Sequence, residues 1–268
     1  MLVDIGVNLS NPRFKDNVEQ VLLDAQAAEV NRLILTGTSI SETQAVIDLC
    51  DQYQAQFPSM LYATAGVHPH EASTFDNLTY STLRELSQHP SIVAIGETGL
   101  DFNRNFSSKM SQEKAFESQI ELAIDCQKPL FLHERDASQR QLDILKACRN
   151  NLPRAVIHCF TGSKKALFDY LDLDLYIGIT GWICDERRGS DLQKIVKNNP
   201  LNRLMVETDA PYLIPRNMPS IPKNKLNQPA YLPYVIEGIA NCRDETKDLI
   251  ATATTATAEW FFDLKEID

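Results

Sequence analysis

Eight short apolar runs, most of them followed by a stretch with helical periodicity, constrain this polypeptide more than any other feature. They fall at residues 2–7, 32–35, 61–66, 92–96, 129–132, 155–157, 175–179 and 204–206. Most are continuous rather than alternating, as expected of strands buried on both faces, and such strands belong to parallel sheets covered by helices. Between them, Val18, Val21, Leu22 and Ala25 share one helical face. Ser41-Glu42-Thr43-Gln44 reads as a capping box, and Ser111 precedes a segment whose Phe116, Ile120, Ala123 and Ile124 form an apolar stripe. The last helices are expected over 232–239 and 248–262. This alternation predicts an α/β fold of the (β/α)₈ TIM-barrel type. Barrels of about 250 residues fold as one unit, so the 268 residues are read as a single domain, 1–268. A doubly wound sheet is the rival, but no G-x-G-x-x-G follows the first strand and no Walker A sequence occurs.

In a barrel the C-terminal ends of the strands converge on one pocket, so polar residues there carry the chemistry. Glu97 ends the fourth run, His133 the fifth, His158 the sixth, and Asp209 follows the eighth. A lone histidine at a strand end is usually a hydrogen-bonded structural residue. Two imidazoles and two carboxylates at matching ends instead suit a divalent metal, with Mg²⁺, Mn²⁺ and Zn²⁺ all open. Such an ion lowers the pKa of a bound water and polarises a phosphoryl or carbonyl oxygen, which makes hydrolysis the expected reaction. Asp209 is the candidate to combine ligation with proton transfer, and Glu207 to orient a ligand. His68, ending the third run, reads as a phosphate contact, a further ligand or a turn-capping loop histidine. Arg135 reads as a phosphate contact or half of a surface pair with Asp136. His70 is expected to face solvent, and His89, ahead of the fourth run, belongs to the opposite end. The Pro- and Asn-rich segment 211–229 is expected as a loop on the substrate side.

Composition narrows the class further. The net charge of −10 argues against coating duplex nucleic acid through a basic face, but not against an enzyme acting on it, because a metal supplies local positive charge. Arg187-Arg188 and the basic residues of 216–225 stand as rim assistance or as ordinary solvated surface. Six scattered cysteines without a C-x-x-C element fit a reducing compartment, and Cys159 is expected to point into the core. No run approaches the roughly 20 apolar residues of a membrane span, and the N-terminus lacks the pattern of a secretory signal. A cytoplasmic, monomeric protein is expected.

The strings AGVHPH, IGETGLDFNRNFS, HERDA, HCFTG, YIGITGWICDERRG and ETDAPYLIPR together resemble the TatD family of metal-dependent deoxyribonucleases, within the amidohydrolase-like barrel superfamily. The resemblance implies metal binding by Glu97, His133, His158 and Asp209. It also implies magnesium-dependent 3′-5′ exonuclease action on single-stranded DNA and RNA. One departure stands out: most of the family carries an H-x-H pair on the first strand, where this chain has Gly6-Val7-Asn8. Gly6 offers no side chain and Asn8 only a neutral oxygen. One metal is therefore expected, held mainly by His133, His158 and the carboxylates, with a second ion arriving alongside the substrate phosphate. The alternatives are an ester or amide hydrolase, such as an aminoacyl-tRNA deacylase, and a non-catalytic module on a decayed barrel.

Overall fold

A computed structural model of the chain describes residues 1–264. Eight strands form one parallel sheet in sequence order: β1 (Leu2–Val7), β2 (Val30–Leu35), β3 (Leu61–Ala65), β4 (Ile92–Asp101), β5 (Leu130–Arg135), β6 (Ala155–Ile157), β7 (Tyr176–Ile179) and β8 (Leu204–Val206). Helices α1 (Val18–Ala27), α2 (Ile40–Tyr53), α3 (Asn77–Leu86), α4 (Lys109–Cys126), α5 (Ser138–Ala147), α6 (Lys164–Leu171), α7 (Ser190–Ile195), α8 (Leu232–Ala240) and α9 (Lys247–Phe262) intervene or follow. A parallel bridge from Val7 to Ala210 joins β1 to the segment after β8. Asn8 N–H donates to the Ala210 carbonyl at 2.8 Å and Asp209 N–H to that of Gly6 at 2.9 Å, so the sheet becomes a barrel at its C-terminal end. This is the expected single-domain TIM-type architecture; residues 265–268 of the expected 1–268 unit lie outside the described residues.

Burial explains why the runs are continuous. One face of each strand fills the barrel, where Val3, Ile5, Ile34, Phe131, Val156 and Met205 pack together. The other face meets the helices, as when Leu33, Leu132 and Ile177 join the cluster containing Leu22, Phe116 and Ile120. Phe261 and Phe262, at the end of α9, belong to the inner cluster, with the Phe261 ring 5.0 Å from that of Tyr176. Each buried aromatic contributes about 2–3 kcal/mol through water removal, and together they seal the N-terminal end of the barrel.

Three details depart from the sequence reading. The cap of α2 is Ser39, whose extended backbone lets its hydroxyl accept from Glu42 N–H at 3.2 Å; the helix thus starts ahead of Ser41. Glu42 does not close a capping box but accepts from the Ser10 hydroxyl at 2.6 Å. Likewise Ser108 caps α4, accepting from Ser111 N–H at 3.1 Å, and Ser111 lies inside the helix. The third departure shapes the site: β4 does not stop at Gly96 but runs to Asp101, pairing Gly99 with His133 and Asp101 with Arg135. Gly96 permits this with a φ of +145° and no side chain, since a Cβ there would lie 2.2 Å from the Phe131 carbonyl oxygen.

Candidate metal centre

All six residues singled out from the sequence, His68, Glu97, His133, Arg135, His158 and Asp209, line one cavity of about 920 Å³ at the C-terminal mouth. At its floor three imidazoles surround a single carboxylate oxygen. Glu97 Oε1 lies 2.7 Å from His158 Nε2, 2.9 Å from His133 Nδ1 and 3.4 Å from His68 Nε2. Glu97 is only 6% exposed, so these contacts act where water screens little. Burial opposes its charge, but His158 and His68 outweigh that and hold the carboxyl well below the usual range. Burial likewise opposes charging of His158, yet Glu97 and Glu207 raise it well above an ordinary imidazole. His133 is raised too, with Asp101 and Glu97 overcoming its burial.

The donor set fits a divalent cation. The ligand atoms of His68, Glu97 and His133 all lie within 4.8 Å of one another. His133 Nε2 is buried without a hydrogen-bond partner, 3.6 Å from Asp101 Oδ2. His158 is held from behind by Glu207, whose Oε2 lies 3.3 Å from Nδ1, an arrangement that fixes the ring of a metal-ligating histidine and leaves Nε2 facing the cavity. Glu207 Oε1 also accepts the Cys159 amide. Asp209 takes no direct hydrogen bond from the imidazoles; its Oδ1 accepts from Asn8 Nδ2 at 3.0 Å. Burial, reinforced by Glu207 and Glu97, pushes its carboxyl up to about 7 against the opposing pull of His158 and Asn8.

His68 caps a turn and also reaches the cavity. Its Nδ1 accepts from His70 N–H at 3.1 Å, capping the short turn Pro69–Thr74, while Nε2 faces Glu97. Burial lowers its pKa more than the Glu97 carboxylate raises it, so the ring is neutral near pH 7. An imidazole accepting at Nδ1 carries its proton on Nε2, so His68 as it stands donates toward Glu97 and the cavity, and would ligate a cation only on giving up that proton. Arg135 is exposed and forms no pair with Asp136; Asp136 instead accepts from Asn103 at 2.7 Å. The Arg135 guanidinium sits 5.9 Å from the Trp182 ring.

Sequence reasoning missed Asp101. Placing the end of β4 at Gly96 hid a carboxylate four residues beyond Glu97, on the same strand face by the two-residue period. Asp101 Oδ2 binds His70 Nε2 at 2.7 Å, so His70 lines the cavity instead of facing solvent. Cys159 is corrected as well: β6 ends at Ile157, the chain turns through a left-handed Cys159 (φ 47°), and the residue lines the cavity with Sγ 3.8 Å from the Thr180 hydroxyl. His89 sits before β4 with Nδ1 2.8 Å from the Ser91 hydroxyl, away from the cavity as expected. The rim arginines are largely internally paired, Arg187 and Arg188 with Asp185 at 3.1 and 2.9 Å and Arg216 with Glu186 at 3.1 Å.

Gly6 has a steric reason. A Cβ at that position would lie 2.4 Å from Glu207 Oε2, so a first-strand histidine there would displace Glu207 from His158 and Cys159. Asp4, fully buried on the same strand, anchors the segment behind Asp209: its carboxyl accepts from Thr208 N–H at 2.9 Å and the Thr208 hydroxyl at 2.5 Å.

A parallel barrel with imidazoles and carboxylates gathered at its C-terminal mouth defines the metal-dependent barrel hydrolases as a class. The chain belongs to the TatD related DNase family, whose sequence profile matches residues 3–263. It is 43% identical over 263 residues to the 3′-5′ ssDNA/RNA exonuclease TatD of Salmonella typhimurium, covering 98% of this chain and 99% of that protein. It is 46% identical over 261 residues to the protein of the same name from Enterobacter lignolyticus, covering 97% and 98%. Among solved structures, a TatD homologue from Escherichia coli K12, YJJV, superimposes with a TM-score of 0.88 at 26% identity, covering 98% of both chains. A TatD family hydrolase from Entamoeba histolytica shares the fold, with a TM-score of 0.89 at 22% identity and 97% of both chains covered.

Proposed function

We propose that this chain is a divalent-metal-dependent exonuclease removing nucleotides from the 3′ end of single-stranded DNA or RNA. The observation that carries the reading is the convergence of His133 and His158 on one oxygen of Glu97 at a barrel mouth, in a chain 43% identical over nearly its whole length to a 3′-5′ ssDNA/RNA exonuclease. Glu97, His133, His158 and Asp209 would hold the cation, with Mg²⁺ the working ion and Mn²⁺ or Zn²⁺ accepted by the same donors. A cation there supplies Lewis acidity toward the phosphoryl oxygen and acidifies the attacking water.

The chain's own groups then divide the work. Asp209, oriented at the cavity by Asn8, would accept the proton of the attacking water. Glu97 is catalytic by anchoring the imidazoles on one point, and Glu207 keeps the His158 ring turned toward it. His68 offers its Nε2 proton to an oxygen of the scissile phosphate, and Arg135, exposed at the rim, its guanidinium to the phosphates of the strand. The six unpaired cysteines fit action in a reducing compartment such as the cytoplasm, and the cavity at the barrel mouth is large enough for the end of a single strand.

The test is incubation of 5′-labelled single-stranded oligonucleotides with and without Mg²⁺. A ladder descending one nucleotide at a time from the 3′ end, abolished by chelator, is the expected result. Inert nucleic-acid ends alongside cleavage of an aminoacyl ester would replace the reading with acyl hydrolysis. Metal analysis is expected to find one tightly held ion per chain; two would contradict the account of Gly6 and Asn8.

A further inference from the structure

The cavity is a poor place for a polyanion along most of its wall. Its ionisable lining includes the carboxylates of Glu42, Glu71, Glu97, Asp101 and Asp209, and its only arginines are Arg104 and Arg135. Both are exposed, and neither guanidinium has an ion-pair partner among the described residues, whereas Arg187, Arg188 and Arg216 elsewhere on this end are paired. Arg104 follows β4 and Arg135 ends β5, so both occupy one side of the mouth.

That side is held rigidly. Asp101 Oδ1 accepts from the backbone N–H groups of Asn103 and Arg104 at 3.0 and 2.9 Å while its Oδ2 holds His70. Phe102 N–H donates to the Arg135 carbonyl at 2.9 Å, and Asn103 Nδ2 ties across to Asp136. The backbones carrying the two arginines are thus bound to each other and to the floor of the site. Just outside, Phe106 is 67% exposed, its ring edge-on to His70 at 4.7 Å. The opposite wall, from β1 and β2, is mostly uncharged and hydrogen-bonding: Ser10, Asn11, Thr38, Ser39 and Ser41 line it, and its one carboxylate, Glu42, accepts from the Ser10 hydroxyl.

We propose that Arg104 and Arg135 form a clamp for the phosphates 5′ of the scissile bond and that Phe106 stacks on an upstream base, so that the strand leaves the cavity over β4 and β5. This rests on the exonuclease reading and adds a direction to it: the terminal nucleoside lies against the hydroxyl and amide wall, and the polyanion runs along the one side where charge attracts it. Two fixed guanidiniums recognise phosphates without reading sequence, and aromatic stacking is likewise tolerant of base identity.

The experiment compares kcat/KM on a single-stranded 12-mer and on a dinucleotide, which has no upstream phosphate, for wild type, Arg104→Ala, Arg135→Ala, the double variant and Phe106→Ala. Each arginine variant is expected to lower the 12-mer-to-dinucleotide ratio about tenfold, through KM, and to reduce the slope of log(kcat/KM) against log salt by about 0.7, the value for one phosphate contact on a single strand. Arg104→Lys should restore the slope, and Phe106→Ala should raise the 12-mer KM about fivefold without changing it. A wild type that digests the 12-mer while the double variant keeps its length preference and salt slope overturns this proposal alone. A wild type that releases nothing from either substrate overturns the exonuclease reading and the clamp with it.

Discussion

The two halves of the barrel mouth differ in what holds them together. On the β4–β6 side, His133 and His158 crowd one oxygen of Glu97, and charge attraction in a buried setting fixes the geometry. On the β1–β8 side no imidazole appears; Asp4, Asn8 and Glu207 hold the segment 207–209 through hydrogen bonds to Thr208, Asp209, His158 and Cys159. The first half would concentrate affinity for a cation. The second positions a carboxylate of raised pKa beside it. Division of this kind would let one wall bind while the other exchanges protons.

The strongest way to break the comparison is at Glu97, the point the β4–β6 half shares. Glu97→Ala is expected to abolish nucleotide release, with at least about a thousandfold loss in kcat, and to eliminate tight metal binding by calorimetry. Chelation of wild type should do the same reversibly, with Mg²⁺ restoring activity. His158→Ala comes next, at about a hundredfold or more in kcat/KM. If it instead changed KM only, the β6 imidazole would belong to substrate binding and not to the cation.

Smaller effects probe the β1–β8 half. Gly6→Ala pushes Glu207 away from His158 and is expected to cost about tenfold in metal affinity, read by titration against a competing chelator. Unchanged affinity would show that Glu207 yields freely. Asp4 sharpens the point through pH. Burial raises its pKa to about 8, so between an unfolded value near 3.8 and that figure the folded state holds a proton the unfolded chain has released. Its contribution to stability therefore declines as pH rises across that window, by at most about 1.4 kcal/mol per unit. The difference in denaturation midpoint between wild type and Asp4→Asn should shift in the variant's favour from pH 5 to pH 8; a constant difference would mean the carboxyl is ionised throughout. Asn8→Ala, the mildest change, removes a hydrogen bond that lowers the Asp209 pKa, so the acid limb of the rate profile should move upward by less than about one pH unit.

Much of the fold and part of the candidate site were legible because their signals are local. Continuous apolar runs announce strands buried on both faces, and Glu97, His133 and His158 stand out because a charged or imidazole group directly after such a run has few places to go but the mouth. Asp101 was hidden because a Gly-containing stretch reads as a strand end, whereas Gly96 and Gly99 let β4 continue against β5. His70 was misread for the same reason, its partner being the unseen Asp101. Helix starts slipped at Ser39 and Ser108 because neighbouring serines compete for a cap and only backbone geometry chooses between them.

The order of residues alone determined the repeating strand-helix alternation, the acidic character, and which chemical groups stand at the strand ends. Tertiary structure decided everything that depends on distance between separate strands: that Glu207 fills the space a side chain at position 6 would need, that Asp209 turns to Asn8, and that the Glu97 oxygen collects its imidazoles. The reason is physical. Propensity and periodicity act over a few neighbouring residues, but pKa values and metal-binding geometry depend on groups tens of residues apart, which only closure of the barrel brings within a few ångströms.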